Sequence, residues 1–436
     1  MIDQTDGLSL SVDIDGFAQR CARGSTLGRA HGRRHASRLS IPHVPRSASE
    51  LAALITDGVL IEGQAFDAKA LIDAGDKANG RLAIDLAAMS VAGGMIAIGI
   101  KDVGGRLHPS PIALAGLKER VSQVGLSRVD SPVFTTSIEL FGEDGSTGYL
   151  VVLVPPSPDA PHQVDGRYRG RGDTTNYVMG DAEVKRVQAT RRQTRTDIRT
   201  ELALAVDRDP ATVERRNAHL FVVARPSVVT SPTMLQDRLG RRWQHWFLEQ
   251  LLPAVARTEF SPNVGPNRQL YRRPDGWAAT GGPIGPTRKI EERETWYEGG
   301  LIELEVDEDG SLRLFCGRAS DYKMSSNVRW AIEEVITGLT WSVLRAAAVI
   351  ADTTDHFGNW EFAVAITHAE GMASHAASAN WRDPYPFGAE DYRTMTVGTY
   401  AEITEHRQQV IERLLGRLNR ALNDDSVPLT DFDAAR

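Results

Sequence analysis

The segment from Leu60 to Gly105 constrains the fold of this chain most, because short apolar runs and glycines alternate in it over the length of one supersecondary unit. A short acidic strand precedes an amphipathic helix over residues 76–92, and the pair Gly93-Gly94 ends that helix. The continuous apolar run from Met95 to Ile100 then predicts a strand that is covered on both faces. The segment therefore predicts a strand, helix and strand within a mixed α/β fold.

The rest of the chain continues this mixed pattern. Strands are predicted at 133–140 and 149–154 and a helix at 112–124, and long helices are predicted after residue 196, at 234–252 and 328–349. A chain of 436 residues is too long for a single core. The predicted division is a basic N-terminal extension (1–46), an α/β domain with a mixed sheet (47–195) and a second α+β domain (196–436).

The composition excludes several classes of protein. Hydrophobic residues make up 41% and charged residues 25% of the chain, which is ordinary for a soluble globular protein. Cys21 and Cys316 are the only cysteines, so no disulfide framework or zinc ribbon can be built within one chain. No apolar stretch approaches the roughly 18 residues that span a bilayer. We therefore expect a cytoplasmic protein without a membrane segment.

Acidic residues stand at the ends of the predicted strands in the first domain. Glu62, Asp67 and Asp102 can hold Mg²⁺ or Mn²⁺ if the chain brings them together, because hard cations prefer carboxylate oxygens. Lys69 would share the face of Asp67 on a strand and place a positive charge beside a phosphate. The alternative is that these acids form turns or cap helices. Asp85, within the predicted helix, is expected to be a solvated or capping acid and not a metal ligand.

A basic stripe is the second candidate for function. Arg167, Arg169 and Arg171 alternate, so on a strand they would project from one face and contact phosphates. Because the net charge is −7, contact with nucleic acid requires such a local patch. A solvated helix face is the alternative for the basic residues that follow. These residues are Lys185, Arg186, Arg191 and Arg192.

Several short motifs occur in a fixed order within residues 47–190. They are Glu62, Phe66-Asp67-Ala68-Lys69, Gly93-Gly94, the strand Met95 to Asp102, and Tyr168-Arg169-Gly170-Arg171-Gly172. Their order and spacing resemble the Alba-type domain of the Schlafen family, which typically shows an acid, a Glu-Phe-Lys-like strand, a Gly-Gly turn and a late Tyr-x-Arg-x-Gly segment. The resemblance covers less than half of the chain.

The resemblance implies two activities. Some Schlafen proteins are metal-dependent endoribonucleases that act on structured RNA such as tRNA and use two glutamates and an aspartate, whereas many bacterial members are described as DNA-binding or transcription-regulator domains. Residue by residue, the three acids fall on Glu62, Asp67 and Asp102. Asp67 departs from the family because it is one methylene shorter than glutamate. The segment from Met89 to Ala92, before Gly-Gly, is a second departure.

The leading hypothesis is therefore an Mg²⁺- or Mn²⁺-dependent endoribonuclease in defence or stress response. Its rival is a non-catalytic regulator that binds DNA or RNA. An ATP-binding protein is a weaker alternative, because the chain has no GxxxxGK[ST] phosphate loop. The second domain would sense a signal, bind a partner or form a homo-oligomer, and its sequence does not identify a ligand.

Overall fold

The structure is a computed structural model, and the residues it describes are 44–143, 145–193, 197–211, 216–229, 231–256, 261–265, 269–290, 298–323, 328–375 and 385–422. Most of the predicted basic extension, residues 1–43, lies outside this set. Residues 39–436 form one compact unit. Within it we call residues 44–193 the first region and residues 197–422 the second region. The predicted domain boundaries stay a prediction.

The first region is built on a five-stranded sheet flanked by helices. β1 runs parallel to β2, β2 pairs antiparallel with β7, and β7 also pairs with β5 and β6. β3 and β4 form a separate two-stranded hairpin, and β8, β9 and β10 form a small antiparallel sheet. The strands are β1 (Phe66–Lys69), β2 (Gly94–Ile98), β3 (Ile100–Val103), β4 (Arg106–Pro109), β5 (Ile112–Ala113), β6 (Thr136–Phe141), β7 (Thr147–Val154), β8 (Gln163–Val164), β9 (Arg167–Arg171) and β10 (Asn176–Val178).

Helices cover both faces of this sheet. They are α1 (Ala48–Thr56), α2 (Asp76–Met89), α3 (Leu117–Ser127) and α4 (Asp181–Gln193). Because successive side chains of a strand point to opposite faces, Phe66 and Ala68 of β1 pack on the α1 side, in one core cluster with Leu51. Asp67 and Lys69 consequently face the α2 side, where Ile96 and Leu86 belong to a second core cluster.

The second region contains a seven-stranded antiparallel sheet in the order β12-β13-β14-β15-β11-β18-β20. β16, β17 and β19 form a smaller sheet beside it. The strands are β11 (His219–Pro226), β12 (Gln269–Arg272), β13 (Gly276–Gly281), β14 (Ile302–Asp307), β15 (Leu312–Cys316), β16 (Ser320–Lys323), β17 (Val328–Ala331), β18 (Trp360–Thr367), β19 (Met372–Ser374) and β20 (Tyr392–Gly398). The helices are α5 (Ile198–Asp207), α6 (Met234–Leu239), α7 (Trp243–Trp246), α8 (Leu252–Val255), α9 (Glu333–Thr354), α10 (Tyr400–Glu405) and α11 (Arg407–Ala421).

The two faces of the large sheet differ in polarity. Leu304 of β14 and Leu314 of β15 pack against α9 and α11 in the main core cluster. The opposite face is covered by α5 over β11 and β18. Over β14 that face carries Glu303, Glu305 and Asp307, which alternate along the strand. This half of the sheet face is therefore charged rather than apolar.

The helix α9 is the only helix among the described residues that is long and apolar enough to cross a membrane. It has 22 residues, and 83% of its most apolar window is buried inside the protein. A helix that is apolar all round and covered by its own chain is a core helix. This placement agrees with the expectation of a soluble protein.

The mixed helices and sheets confirm the predicted α+β class, and several element boundaries differ from the predictions. The helix predicted at 328–349 begins only at Glu333, because Val328–Ala331 pairs with β16 and β19. The helix predicted at 234–252 is interrupted at Gly240, which has a positive φ of 53°. Ile112 and Ala113, predicted as the start of a helix, form the short strand β5 against β7.

Candidate functional site: a charged cluster beneath β1 and a hairpin beside it

Four charged side chains meet between β1, α2 and β9, and we call Asp67, Lys69, Asp85 and Arg171 the charged cluster. Nζ of Lys69 lies 2.7 Å from Oδ2 of Asp67 and 2.8 Å from Oδ2 of Asp85. The strand alternation of β1 puts Asp67 and Lys69 on the face that α2 covers, and Asp85 reaches them from α2. Two acids and two cations thus share a largely buried space.

Arg171 anchors the cluster to the backbone of the preceding loop. Its side chain is 4% exposed. Nε donates to the carbonyl of Gly63 at 3.0 Å, and Nη2 donates to the carbonyl of Phe66 at 3.2 Å and to Oδ1 of Asp67 at 3.1 Å. A rigid guanidinium suits this role, because its fork of donors reaches several acceptors at once. Arg171 therefore holds the loop that precedes β1 and the first residues of that strand in place.

Burial and charge act against each other in the cluster. Burial raises the pKa of Asp85, and the nearby Lys69 ammonium only partly opposes this. For Lys69, burial would lower the pKa, but the carboxylates of Asp85 and Asp67 together raise it above its usual value. Asn176 adds a hydrogen bond from Nδ2 to Oδ1 of Asp85 at 2.6 Å. The sequence-based expectation that Asp85 is solvated is wrong, because the residue is only 9% exposed.

A cavity of about 470 Å³ lies beside the cluster. Lys69, Asp85 and Asn176 line one wall, and Leu71 and Ile72 belong to the lining as well. The polar groups on this wall are already bonded to one another, so the cavity presents a balanced ion pair rather than free charge. Such a wall offers little attraction for a metal ion or a phosphate.

The three predicted metal ligands have separate roles in this arrangement. Oε1 of Glu62 accepts a hydrogen bond from the backbone N–H of Ala68 at 3.2 Å. Asp67 is neutralised by Arg171 and Lys69. Oδ1 of Asp102 accepts from the N–H of Gly105 at 2.8 Å in the β3–β4 turn.

This donor set does not fit a divalent cation, because Asp67 is already held by two cations and Asp102 by a turn. Across the described residues, no three His, Cys, Asp or Glu side chains are grouped so that they could hold a metal ion. Lys69, predicted to stabilise charge on a phosphate, is itself held between two carboxylates. The metal site and its catalytic use remain predictions from the sequence.

The predicted basic stripe divides into outward and inward residues. β9 is a strand as predicted, and Arg167 at its start is exposed. Arg169 donates to the carbonyl of Val164 at 3.4 Å, Arg171 belongs to the charged cluster, and Arg191 donates to the carbonyl of Val91 at 2.5 Å. Burial lowers the pKa of Arg191.

The remaining predicted basic residues lie on α4. Lys185 and Arg186 are exposed, and they form ion pairs with Asp181 at 2.8 Å and Glu183 at 3.8 Å. The side chain of Arg192 lies outside the described part of the structure. Exposed ion pairs of this kind contribute little to stability, so Lys185 and Arg186 can exchange their partners for phosphates.

Two features of the site were not predicted from the sequence. The first is the pairing of Asp85 and Asn176 with the residues of β1, which depends on long-range packing and leaves no local signal. The second is the β3–β4 hairpin, whose signal is the dipeptide Gly104-Gly105 between short strands. The φ angles of these glycines are 66° and 80°, a conformation that favours glycine.

Comparisons with known proteins add little to this geometry. No family model matches the chain, and no curated protein matches it. Among solved structures, a similar chain is the DIP2311 protein from Corynebacterium diphtheriae, a structural genomics target, at 20% identity and a TM-score of 0.22. The likeness covers 35% of this chain and 30% of that chain, and it is too slight to carry an argument. The resemblance to the Schlafen family therefore stays a prediction from the sequence.

Proposed function

We propose that this protein binds DNA or RNA through its first region and does not cleave it at Glu62, Asp67 and Asp102. The observation that carries the proposal is the β3–β4 hairpin, a two-stranded ribbon whose polar residues are exposed. This function corresponds to the rival hypothesis of the sequence analysis, a non-catalytic regulator, which we place in the cytoplasm. The metal-dependent endoribonuclease is the alternative.

The hairpin has the shape and chemistry of a nucleic-acid contact. Lys101 and His108 lie opposite each other on the two strands, and Arg106 follows the turn; all three are exposed. A two-stranded ribbon fits the major groove of DNA, and cationic side chains on it bind phosphates. A Cβ atom added at Gly104 or Gly105 would meet no heavy atom within 4 Å, so the tip is open for close approach.

The first region carries further exposed basic residues in an acidic protein. They are Arg167, Lys185 and Arg186. The net charge of −7 means that attraction to nucleic acid must come from such local groups. Binding of this type is strongly salt-dependent, because each neutralised phosphate releases counterions.

Binding without cleavage follows from how the acids are used. Asp67 is held by Arg171 and Lys69, and Asp102 forms the hairpin turn. Moving either acid to a metal would break these contacts. Asp102 therefore serves the turn of the hairpin, and the exposed cations Lys101 and Arg106 lie on either side of it in the sequence.

The test uses the full chain with Lys101→Ala and Arg106→Ala together. Binding to fluorescent duplex DNA and to tRNA is measured by anisotropy at several salt concentrations. We expect weaker binding to every sequence and a salt slope reduced by about two, at about one for each phosphate contact removed. Lys77→Ala with Lys118→Ala is the matched control, since it removes the same charge from exposed positions on α2 and α3. Equal losses in both variants would contradict the proposal.

A further inference from the structure

A large cavity opens on the charged half of the sheet face in the second region. Its volume is about 980 Å³, which lies within the range of small-molecule sites. Arg273 follows β12, whereas Arg288 and Lys289 lie in the turn closed by the bridge between Ile284 and Ile290. Arg208, directly after α5, completes a lining that contains four cations.

Two of these arginines are held in place by one buried acid. Nη2 of Arg273 lies 2.5 Å from Oε1 of Glu303, and Nε of Arg288 lies 2.5 Å from Oε2 of the same residue. The exposed fractions of the three side chains are 5%, 20% and 1%. Guanidinium groups fixed in this way lose little conformational freedom when they bind a ligand. The pair is therefore a rigid, preformed set of donors.

The donors of this pair are not all used within the described chain. Nη1 of Arg273 donates to the carbonyl of Pro286 and Nη1 of Arg288 to the carbonyl of Arg208, but Nε of Arg273 is buried and has no partner among the described residues. Buried donors are almost always paired, so this one requires an explanation. Arg288 also has a φ of 64°, an unfavourable backbone conformation for a residue with a side chain. Unusual conformations of this kind concentrate at ligand sites.

Two further cations lie at the rim of the cavity. Arg208 and Lys289 are exposed, and neither forms an ion pair within the described residues. Two lining acids have other partners: Asp209 lies 2.7 Å from Nδ1 of buried His219, and Glu305 lies 3.2 Å from Arg313.

Asp275 is the remaining acid of the lining, and it is exposed. Three prolines, Pro210, Pro274 and Pro286, add apolar surface beside the cations. The cavity therefore offers an anionic ligand both charge and an apolar wall.

We propose that this cavity binds the phosphate group of a small ligand, with Arg273, Arg288, Arg208 and Lys289 as donors. A phosphate accepts several charge-assisted hydrogen bonds at once, and arginine matches its geometry. The apolar remainder of the ligand would lie against the prolines. The site uses no glycine-rich phosphate loop, which agrees with the absence of that motif from the sequence.

The test is calorimetric titration of the full chain with adenosine monophosphate and, separately, with inorganic phosphate. The variant carries Arg208→Ser and Lys289→Ser, which change exposed residues and leave the ion pairs of Glu303 intact. Since hydrogen bonds to charged groups are the strong ones, we expect the double variant to weaken binding by about tenfold or more. Lys77→Ser with Lys118→Ser is the control with the same change in charge, and we expect it to bind as the wild type does.

Absence of heat with both probes at millimolar concentration would overturn the proposal, and so would an affinity that is equal in the double variant and the control. The melting temperature of each variant is measured alongside, so that a loss of fold is not mistaken for a loss of binding. Binding of duplex DNA by the double variant is also measured. We expect it to be unchanged, which separates this site from the hairpin of the first region.

Discussion

The charged cluster of the first region and the arginine cavity of the second region both place ionic side chains on a sheet face, but they balance charge differently. In the first region, Asp67, Lys69, Asp85 and Arg171 satisfy one another, with two acids for two cations. In the second region, Glu303 holds two arginines, and the rim cations Arg208 and Lys289 form no ion pair among the described residues. The first arrangement stabilises the fold, whereas the second retains donors for a ligand.

The difference shows that residue type alone does not reveal the role of a charged side chain. A lysine beside an acid on a strand predicted a catalytic role for Lys69, and in the structure its ammonium group lies between the carboxylates of Asp67 and Asp85. Arginines in the second region carry no recognisable motif, yet Nε of Arg273 has no hydrogen-bond partner among the described residues. The number of partners around each charge distinguishes the two roles.

The largest expected effect tests the structural role of the first cluster. Arg171→Ala removes four hydrogen bonds and leaves the buried carboxylate of Asp67 with Lys69 alone. Breaking a buried ion pair by deleting one partner costs about 3–5 kcal/mol of unfolding free energy. Arg167→Ala, two residues away and exposed, is the control and should change stability by no more than about 0.5 kcal/mol. Equal losses of unfolding free energy in the two variants, measured by urea denaturation, would contradict a structural role for Arg171.

A second prediction concerns pH and the charged face of β14 in the second region. Burial raises the pKa of Asp307 to about 7, although Arg313 opposes the shift. Because the folded protein holds this proton more tightly than the unfolded chain does, protonated Asp307 stabilises the fold at low pH. That contribution is lost as pH rises from the unfolded value of about 4 through about 7.

Asp307→Asn mimics the protonated acid at every pH, so it is the variant that isolates this effect. We expect the variant to gain about 4 kcal/mol of unfolding free energy relative to the wild type between pH 4 and pH 8, at 1.36 kcal/mol per pKa unit. Chemical denaturation at several pH values measures the difference. If the difference in unfolding free energy between the variant and the wild type does not change from pH 4 to pH 8, the pKa of Asp307 is not raised in the folded protein.

The ion pair between Lys69 and Asp85 in the charged cluster is expected to stabilise the fold. Lys69→Met keeps the length of the side chain but leaves Asp85 with Asn176 alone. We expect a loss of about 2 kcal/mol at neutral pH, because a buried carboxylate without its cation is costly. The loss should be smaller at pH 5 than at pH 8, since the raised pKa of Asp85 rises further without Lys69 and the protonated acid needs no cation. Thermal and urea unfolding at both pH values provide the measurement, and an equal loss at both would contradict the assignment.

The smallest expected effect concerns the hairpin. Asp102→Ala removes the hydrogen bond from the N–H of Gly105 at an exposed turn, which should cost about 0.5–1 kcal/mol of unfolding free energy. Asp102→Asn keeps an oxygen acceptor and should restore most of the loss. A larger loss in both variants would indicate that Asp102 has a partner beyond the turn.

The sequence predicted the elements whose patterns are local. The continuous apolar run from Met95 to Ile100 predicted a buried strand, and the structure has the buried strand β2 (Gly94–Ile98) at this place. Val328–Ala331 was mistaken for a helix because its partners, β16 and β19, join it only through tertiary pairing. A four-residue segment carries too little periodicity to decide between helix and strand.

The site was harder to predict, because its chemistry depends on which side chains meet. β1 places Asp67 and Lys69 on one face, as the alternation predicted, but only the packing of α2 shows that Asp85 completes an ion-pair network. Likewise, the alternation of arginines predicted one shared face if the segment is a strand; β9 is a strand, but Arg171 is buried and paired with Asp67, whereas Arg167 is exposed. Partners that are distant in the sequence decide both cases.

The most direct test of the account is incubation of the purified full chain with tRNA and with duplex DNA, in Mn²⁺ and in EDTA, with products resolved on a denaturing gel. The account predicts salt-sensitive binding and intact nucleic acid under both conditions. Asp102→Ala and Asp67→Asn are assayed in parallel to exclude a contaminating nuclease. Cleavage that requires Mn²⁺ and is lost in both variants would contradict the account and establish the three acids as a catalytic site.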